Sequence, residues 1–203
     1  MAPTKTLRLQ IDDVLTEQLA GSFGTVYPEV VERLNEEQKV IVQIALNGVE
    51  VLPDGVDAVS AAEVEEVVIR TQSMGRFAIE LIVTAEEYLP KLQGGLIKVA
   101  SLFHAGREQE AQALFAEAVE GLEWTNSCFS GLGQFAATLG NHELLNVYGD
   151  FQTQLVAAGE AMEQQNVTEL ADLLEYELAE TTARGLDCLR VLRDQIEGAG
   201  REH

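Results

Sequence analysis

Apolar residues along this chain follow two different periods, and the change falls near residue 73. In the first part the period is two. Leu7, Leu9 and Ile11 alternate with Arg8 and Gln10, which predicts a half-buried strand. Val40, Val42 and Ile44 form a second strand, apolar enough for burial on both faces. Asn47-Gly48 then separates that run from Val49 and Val51. Asn-Gly between apolar runs predicts a tight hairpin, because both residues tolerate positive φ. Pro28 to Asn35 reads as a short helix with proline in its first turn. Ser60 and Glu63 have capping-box spacing, predicting a second short helix that leads into a strand at Val67-Val68-Ile69.

From Ser73 onward the period is helical. Ala85, Leu89, Leu92, Leu96, Val99 and Phe103 step by four and three and so share one helix face. Ala111, Leu114, Ala118, Leu122, Phe129, Leu132, Ala136 and Leu139 make a second such stripe. Leu144, Tyr148, Phe151, Leu155, Ala158 and Met162 make a third. Leu170, Leu174, Leu178, Thr181, Cys188, Leu192 and Ile196 make a fourth. Breaks fall at Gly106, at Gly140-Asn141 and at Asn166, which with Glu169 has the spacing of a capping box. Four amphipathic helices with short connectors predict an antiparallel bundle. The expected fold is therefore α+β: a module of about four strands and two short helices in 1–73, then a long four-helix bundle in 74–203.

Composition removes several classes of function. The chain has 203 residues, with 34 Asp or Glu against 13 Lys or Arg. A formal charge of −21 disfavours nucleic acid and anionic membrane surfaces as partners, since both are held by clustered cations. The opening MAPTKTLRLQ has no apolar core of a secretory signal, and Cys128 and Cys188 lie far apart, so a cytoplasmic protein with two free thiols is expected. The charge is also unevenly placed. Residues 108–183 hold 14 Asp or Glu and no Lys or Arg. Such a block can serve solubility, or it can form a face that attracts a basic partner.

Motifs for chemistry are weak. Gly131-Leu-Gly133-Gln-Phe-Ala136 matches GxGxxA, but dinucleotide binding needs a strand before the glycines, and the residues preceding them have a helical period. Of His104, His142 and His203, none follows a glutamate by three, as a di-iron bundle requires. No cofactor and no metal are expected. Glu86 and Glu177 approach the apolar stripes, so an enzyme or metal-binding bundle using interior carboxylates is the alternative reading. A structural homo-oligomer is a third. The densest aromatic region, Trp124, Phe129, Phe135, Tyr148 and Phe151, together with Tyr176, is the candidate partner-binding set.

The segment Leu144-Leu-Asn-Val-Tyr148-Gly-Asp-Phe151, followed by Leu155, Ala158, Glu163-Gln-Gln-Asn166 and the helix from Leu170 to Leu178, resembles part of the cytoplasmic flagellin export chaperone family. The resemblance implies a non-enzymatic four-helix bundle that shields the helix-forming tail of an export substrate. Residues 1–73 are an addition that this family lacks. The chain also resembles uncharacterised bacterial proteins that join a small α+β module to a bundle containing Leu-Leu-Glu-Tyr-Glu-Leu. Together these readings lead to a non-enzymatic, chaperone-like protein that binds a basic or helical protein partner through a bundle groove or its acidic face.

Overall fold

A computed structural model describes residues 6–12, 14–20, 23–51 and 64–199. The chain divides into two compact units, Met1–Phe77 and Ala78–His203. The fold is α+β, with a mixed sheet first and a helical bundle after it.

In the first unit, β1 (Thr6–Ile11), β2 (Val14–Ala20), β3 (Lys39–Leu46), β4 (Val49–Val51) and β5 (Glu66–Ser73) form one sheet in the order β2-β1-β5-β3-β4. Strand β5 runs parallel to β1 and antiparallel to β3. Alternation sends Leu7, Leu9, Ile11, Ile44, Leu46, Val67 and Ile69 into one core, where they meet Phe23, Val26, Val30 and Leu34 of helix α1 (Phe23–Glu36). The Asn-Gly hairpin forms as expected: φ is 51° at Asn47 and 80° at Gly48, and Leu46 pairs with Val49. The Asn47 carboxamide oxygen also accepts from the backbone N–H groups of Glu65 and Glu66 at 2.9 and 3.0 Å, tying the turn to β5.

Two details differ from the expectation. Strand β2 is an additional, fifth strand, paired to β1 from Ile11↔Val14 onward. Helix α1 begins at Phe23, so Pro28 lies inside it and not in its first turn. Proline there removes a backbone hydrogen bond, while the turn before it buries Phe23 and Val26 at 4% and 6% exposure. That burial offsets the lost bond. The short helix expected at Ser60–Glu63 lies outside the described residues.

The second unit contains α2 (Met74–His104), whose first turn belongs to the first unit, α3 (Glu108–Thr138) and α4 (Glu143–Glu163). Its fourth helix is composite: α5 (Val167–Asp172), a π-helical segment Leu173–Leu178 and α6 (Ala179–Ala199). All three turns close in the same way. Arg107, Asn141 and Asn166 donate their backbone N–H to the carbonyls of Leu102, Ala136 and Ala161, each at 2.9 Å. The residue before each has positive φ: Gly106 at 71°, Gly140 at 79° and Gln165 at 57°. These are Schellman closures, which satisfy the free carbonyls at a helix end.

Asn166 then caps α5 by accepting from the Glu169 N–H, while its side-chain amide donates to the Glu169 carboxylate at 2.6 Å. Replacing Asn166 by alanine removes both bonds. We expect a loss of about 1 kcal/mol in stability, read by chemical denaturation.

The π segment explains a register that α-helical geometry alone does not give. Leu170, Leu174, Leu178, Thr182 and Leu186 are all buried at a strict spacing of four. An α-helix has 3.6 residues per turn, so such a series drifts off the core. A wider turn in the middle takes up the difference. The inner row after it therefore uses Gly185, Leu186, Leu189 and Leu192, while the expected Cys188 and Ile196 are only half-buried.

Candidate functional site

Helices α3 and α4 pack tightly at Gly133, where a Cβ would stand 3.0 Å from a Leu145 methyl. The GxGxxA motif thus lies in the last turns of a long helix, with no strand before it, and its second glycine serves packing. Further along, the Gln152 side-chain amide donates to the Asn126 carboxamide oxygen at 3.0 Å across the two helices. Beyond that clasp the side chains leave a groove. Phe115, Val119, Leu122, Glu123, Asn126, Leu155, Ala158, Gly159 and Met162 line a largely apolar cavity of about 260 Å³. Phe115 and Met162 also line a second cavity of about 340 Å³ at the end of the bundle, with Phe103, Gln112 and Leu170. Val119 and Met162 are 37% and 53% exposed.

The groove lies inside the block that lacks Lys and Arg. On its two helices, Glu110 pairs with Arg107, and Asp150 pairs with Arg184 at 3.1 Å. Glu108, Glu117, Glu120, Glu123, Glu143, Glu160 and Glu163 have no cationic partner among the described residues. Of these, Glu123 lines the first cavity and Glu108 the second. Each apolar floor is thus bordered by an uncompensated carboxylate, which favours a ligand that is both apolar and cationic.

The aromatic candidates are placed elsewhere. Phe129 and Phe151 are fully buried, edge to face with centroids 5.5 Å apart, so they are core and cannot line a surface groove. Their size is the reason: a ring gains most from complete burial. Trp124 is half-buried and packs edge-on against Tyr88 at 5.3 Å. Phe135 and Tyr148 are half-buried against the same core. Tyr176 is 62% exposed on the π segment, with its phenol pushed up by the neighbouring Glu175 carboxylate. None of the six lines either cavity.

Of the carboxylates suggested for interior chemistry, one is paired and the other faces solvent. Glu86 is held by Arg193 and by Arg190 at 3.6 Å, both on α6, and Glu177 is exposed. Arg184, Arg190 and Arg193 all form ion pairs, within α6 or to other helices. Burial pushes the Cys128 thiol up to about 12 and raises that of Cys188, which makes both poor nucleophiles near neutrality. Among the described residues, no three His, Cys, Asp or Glu side chains form a metal-binding group. No described helix is long and apolar enough to cross a membrane.

The groove residues carry a signal in the sequence. Phe115 and Val119 form an apolar row beside the Leu114 and Ala118 stripe, so α3 is apolar over a wider sector than packing into a bundle requires.

A family model described as a domain of unknown function (DUF8042) matches residues 80–184, the part of the chain that contains both walls of the groove. No curated protein and no solved structure matches the chain.

Proposed function

Because the chain belongs to the DUF8042 family, a domain of unknown function, we propose its role from the bundle itself: a non-enzymatic protein-interaction domain whose α3–α4 face holds a basic protein partner. One observation carries this reading. An apolar groove lies between two helices that carry no Lys or Arg and bear seven carboxylates with no cationic partner among the described residues. Long-range attraction would bring a cationic partner to that face, and apolar contact would hold it there. The resemblance to export chaperones supports the same class of activity, and the two unpaired thiols support a reducing compartment such as the cytoplasm.

The test is affinity capture from the source cells with the full chain and with a Glu120→Lys/Glu123→Lys variant. We expect a specific partner that is retained at low ionic strength and released by about 0.5 M salt, where screening is nearly complete within a few ångströms. The charge-reversed variant should fail to retain it. Equal retention by both proteins would overturn the proposal, as would the absence of any specific partner.

A further inference from the structure

Unpaired charges of the bundle fall on two separate surfaces of opposite sign. Residues 88–107, the C-terminal half of α2 and the turn after it, contain no Asp or Glu. Lys91 and Lys98 lie in that stretch, both exposed, and neither meets a carboxylate among the described residues. The described arginines of the bundle differ: Arg107, Arg184, Arg190 and Arg193 are each held in an ion pair. Pro90, Gly94, Ile97 and Ser101 share the exposed side of α2 with the two lysines. A Cβ built at Gly94 meets nothing within 4 Å, and the Ser101 hydroxyl turns back to donate to the Ile97 carbonyl at 2.9 Å. Ile97, 39% exposed, therefore stands out from a low surface with the Lys98 cation beside it.

We propose that this strip of α2 is the basic surface that the α3–α4 groove holds, so that the partner is a second copy of this chain. The inference rests on the preceding reading of the α3–α4 face and names its partner. The match has two parts. Ile97 offers an apolar side chain to a floor of Val119, Leu155 and Met162, while Lys91 and Lys98 approach Glu123 at the groove edge and Glu120 one turn before it. Exposed ion pairs alone hold little, so the apolar contact supplies the grip and the charges select the face. The net charge of −21 opposes self-association at long range, but at about 0.1 M salt charges beyond about 10 Å are screened and the local match decides. Strip and groove are different surfaces, so the contact is heterologous: each copy lends its α2 and receives another's, building a ring or a filament.

Sedimentation of the purified full chain between about 1 and 100 μM, in about 0.1 M salt, tests this. We expect the mass to rise with concentration above that of one chain. Lys91→Glu/Lys98→Glu should weaken the association about tenfold or more. Glu120→Lys/Glu123→Lys should do the same, although it lowers the net charge and with it the general repulsion. A chain carrying all four changes exchanges the signs of the two faces at unchanged net charge, and it should associate again. Ile97→Ser, which keeps every charge and removes the apolar side chain, should also weaken association about tenfold.

A wild-type chain that stays monomeric to about 100 μM would overturn the second copy, while the α3–α4 reading would still stand or fall by the capture from source cells. Association that persists in either double variant would overturn the pairing of these two faces. So would a four-site variant that remains monomeric, or an Ile97→Ser chain that associates as the wild type does.

Discussion

Alanine at position 185 should lower the stability of the bundle by about 2 kcal/mol. Gly185 is buried on α6, and a Cβ there would stand 2.1 Å from Cζ of Phe129 and 2.7 Å from both Cε atoms. Phe129 cannot swing aside, because it is fully buried and packed edge to face on Phe151. Overpacking a close-packed core costs about 1–3 kcal/mol, and this contact belongs at the upper end. Alanine returns up to about 1 kcal/mol through its better helix propensity. A Phe129→Leu change in the same chain shortens the obstructing group, so the double variant should be more stable than the sum of the single losses requires. Denaturant titration of the four proteins measures this coupling. Simple additivity would mean that the glycine is not there for the ring.

The second large effect is expected in the sheet. Asp12 follows β1 at a positive φ of 53°, and its carboxylate accepts from the Thr71 N–H at 2.8 Å and the Thr71 hydroxyl at 2.9 Å. Asp12 therefore joins the end of β1 to β5. The Thr71 backbone hydrogen bond, with the Thr71 hydroxyl and the nearby Lys39 and Arg70, holds the carboxyl below the usual aspartate range. Asp12→Ala loses bonds to a charged acceptor and places alanine in the left-handed region, a combined cost of about 3 kcal/mol. Asp12→Asn tolerates the backbone and keeps one acceptor, so about 1 kcal/mol is expected.

The sign of the pH dependence follows from the depressed folded value. The stabilisation is complete above the unfolded aspartate pKa of about 3.9 and is lost as the pH falls through the lower, folded value. The difference between wild type and Asp12→Asn should be constant from pH 8 to pH 5 and should shrink below about pH 4. Hydrogen exchange at the Thr71 amide reads it locally. A difference that grows on acidification would contradict this account.

What could be read from the chain in advance was local. Two of the bundle turns are marked by Gly106 and Gly140, which carry the positive φ, and the third by the capping side chain of Asn166. The hairpin at Asn47-Gly48 is legible for the same reason. The positive φ at Gln165, by contrast, leaves no mark in the residue type. Strand β2 is less legible, since Asp12-Asp13 is a weaker turn signal than Asn-Gly and Glu17-Gln18 blurs its alternation. The start of α1 is hidden by Gly21, Gly24 and Pro28, and only packing of Phe23 and Val26 on the sheet overrides them. The inner row of α6 depends on the π segment, and a fixed period of 3.6 cannot anticipate an inserted turn.

The groove was half legible. Its charge is visible as an acidic block, but its floor of Phe115, Val119, Leu155 and Met162 is not, because the rings that dominate the pattern, Phe129 and Phe151, are buried in the core. Which apolar row remains uncovered is decided by how four helices share their faces, which no single stripe contains.

The edge contact between Trp124 and Tyr88 gives the molecule a built-in optical reporter. Trp124 is the one indole in the sequence, and it lies on α3 where Gly121 leaves room for the Tyr88 phenol. Its emission spectrum therefore belongs to the bundle, while ellipticity of the peptide bonds sums over sheet and bundle together. Unfolding traces followed by the two signals will coincide if the units melt as one and separate if they do not. Gly185→Ala should displace the indole trace directly. Asp12→Ala should displace it only to the extent that the sheet and the bundle share a single transition.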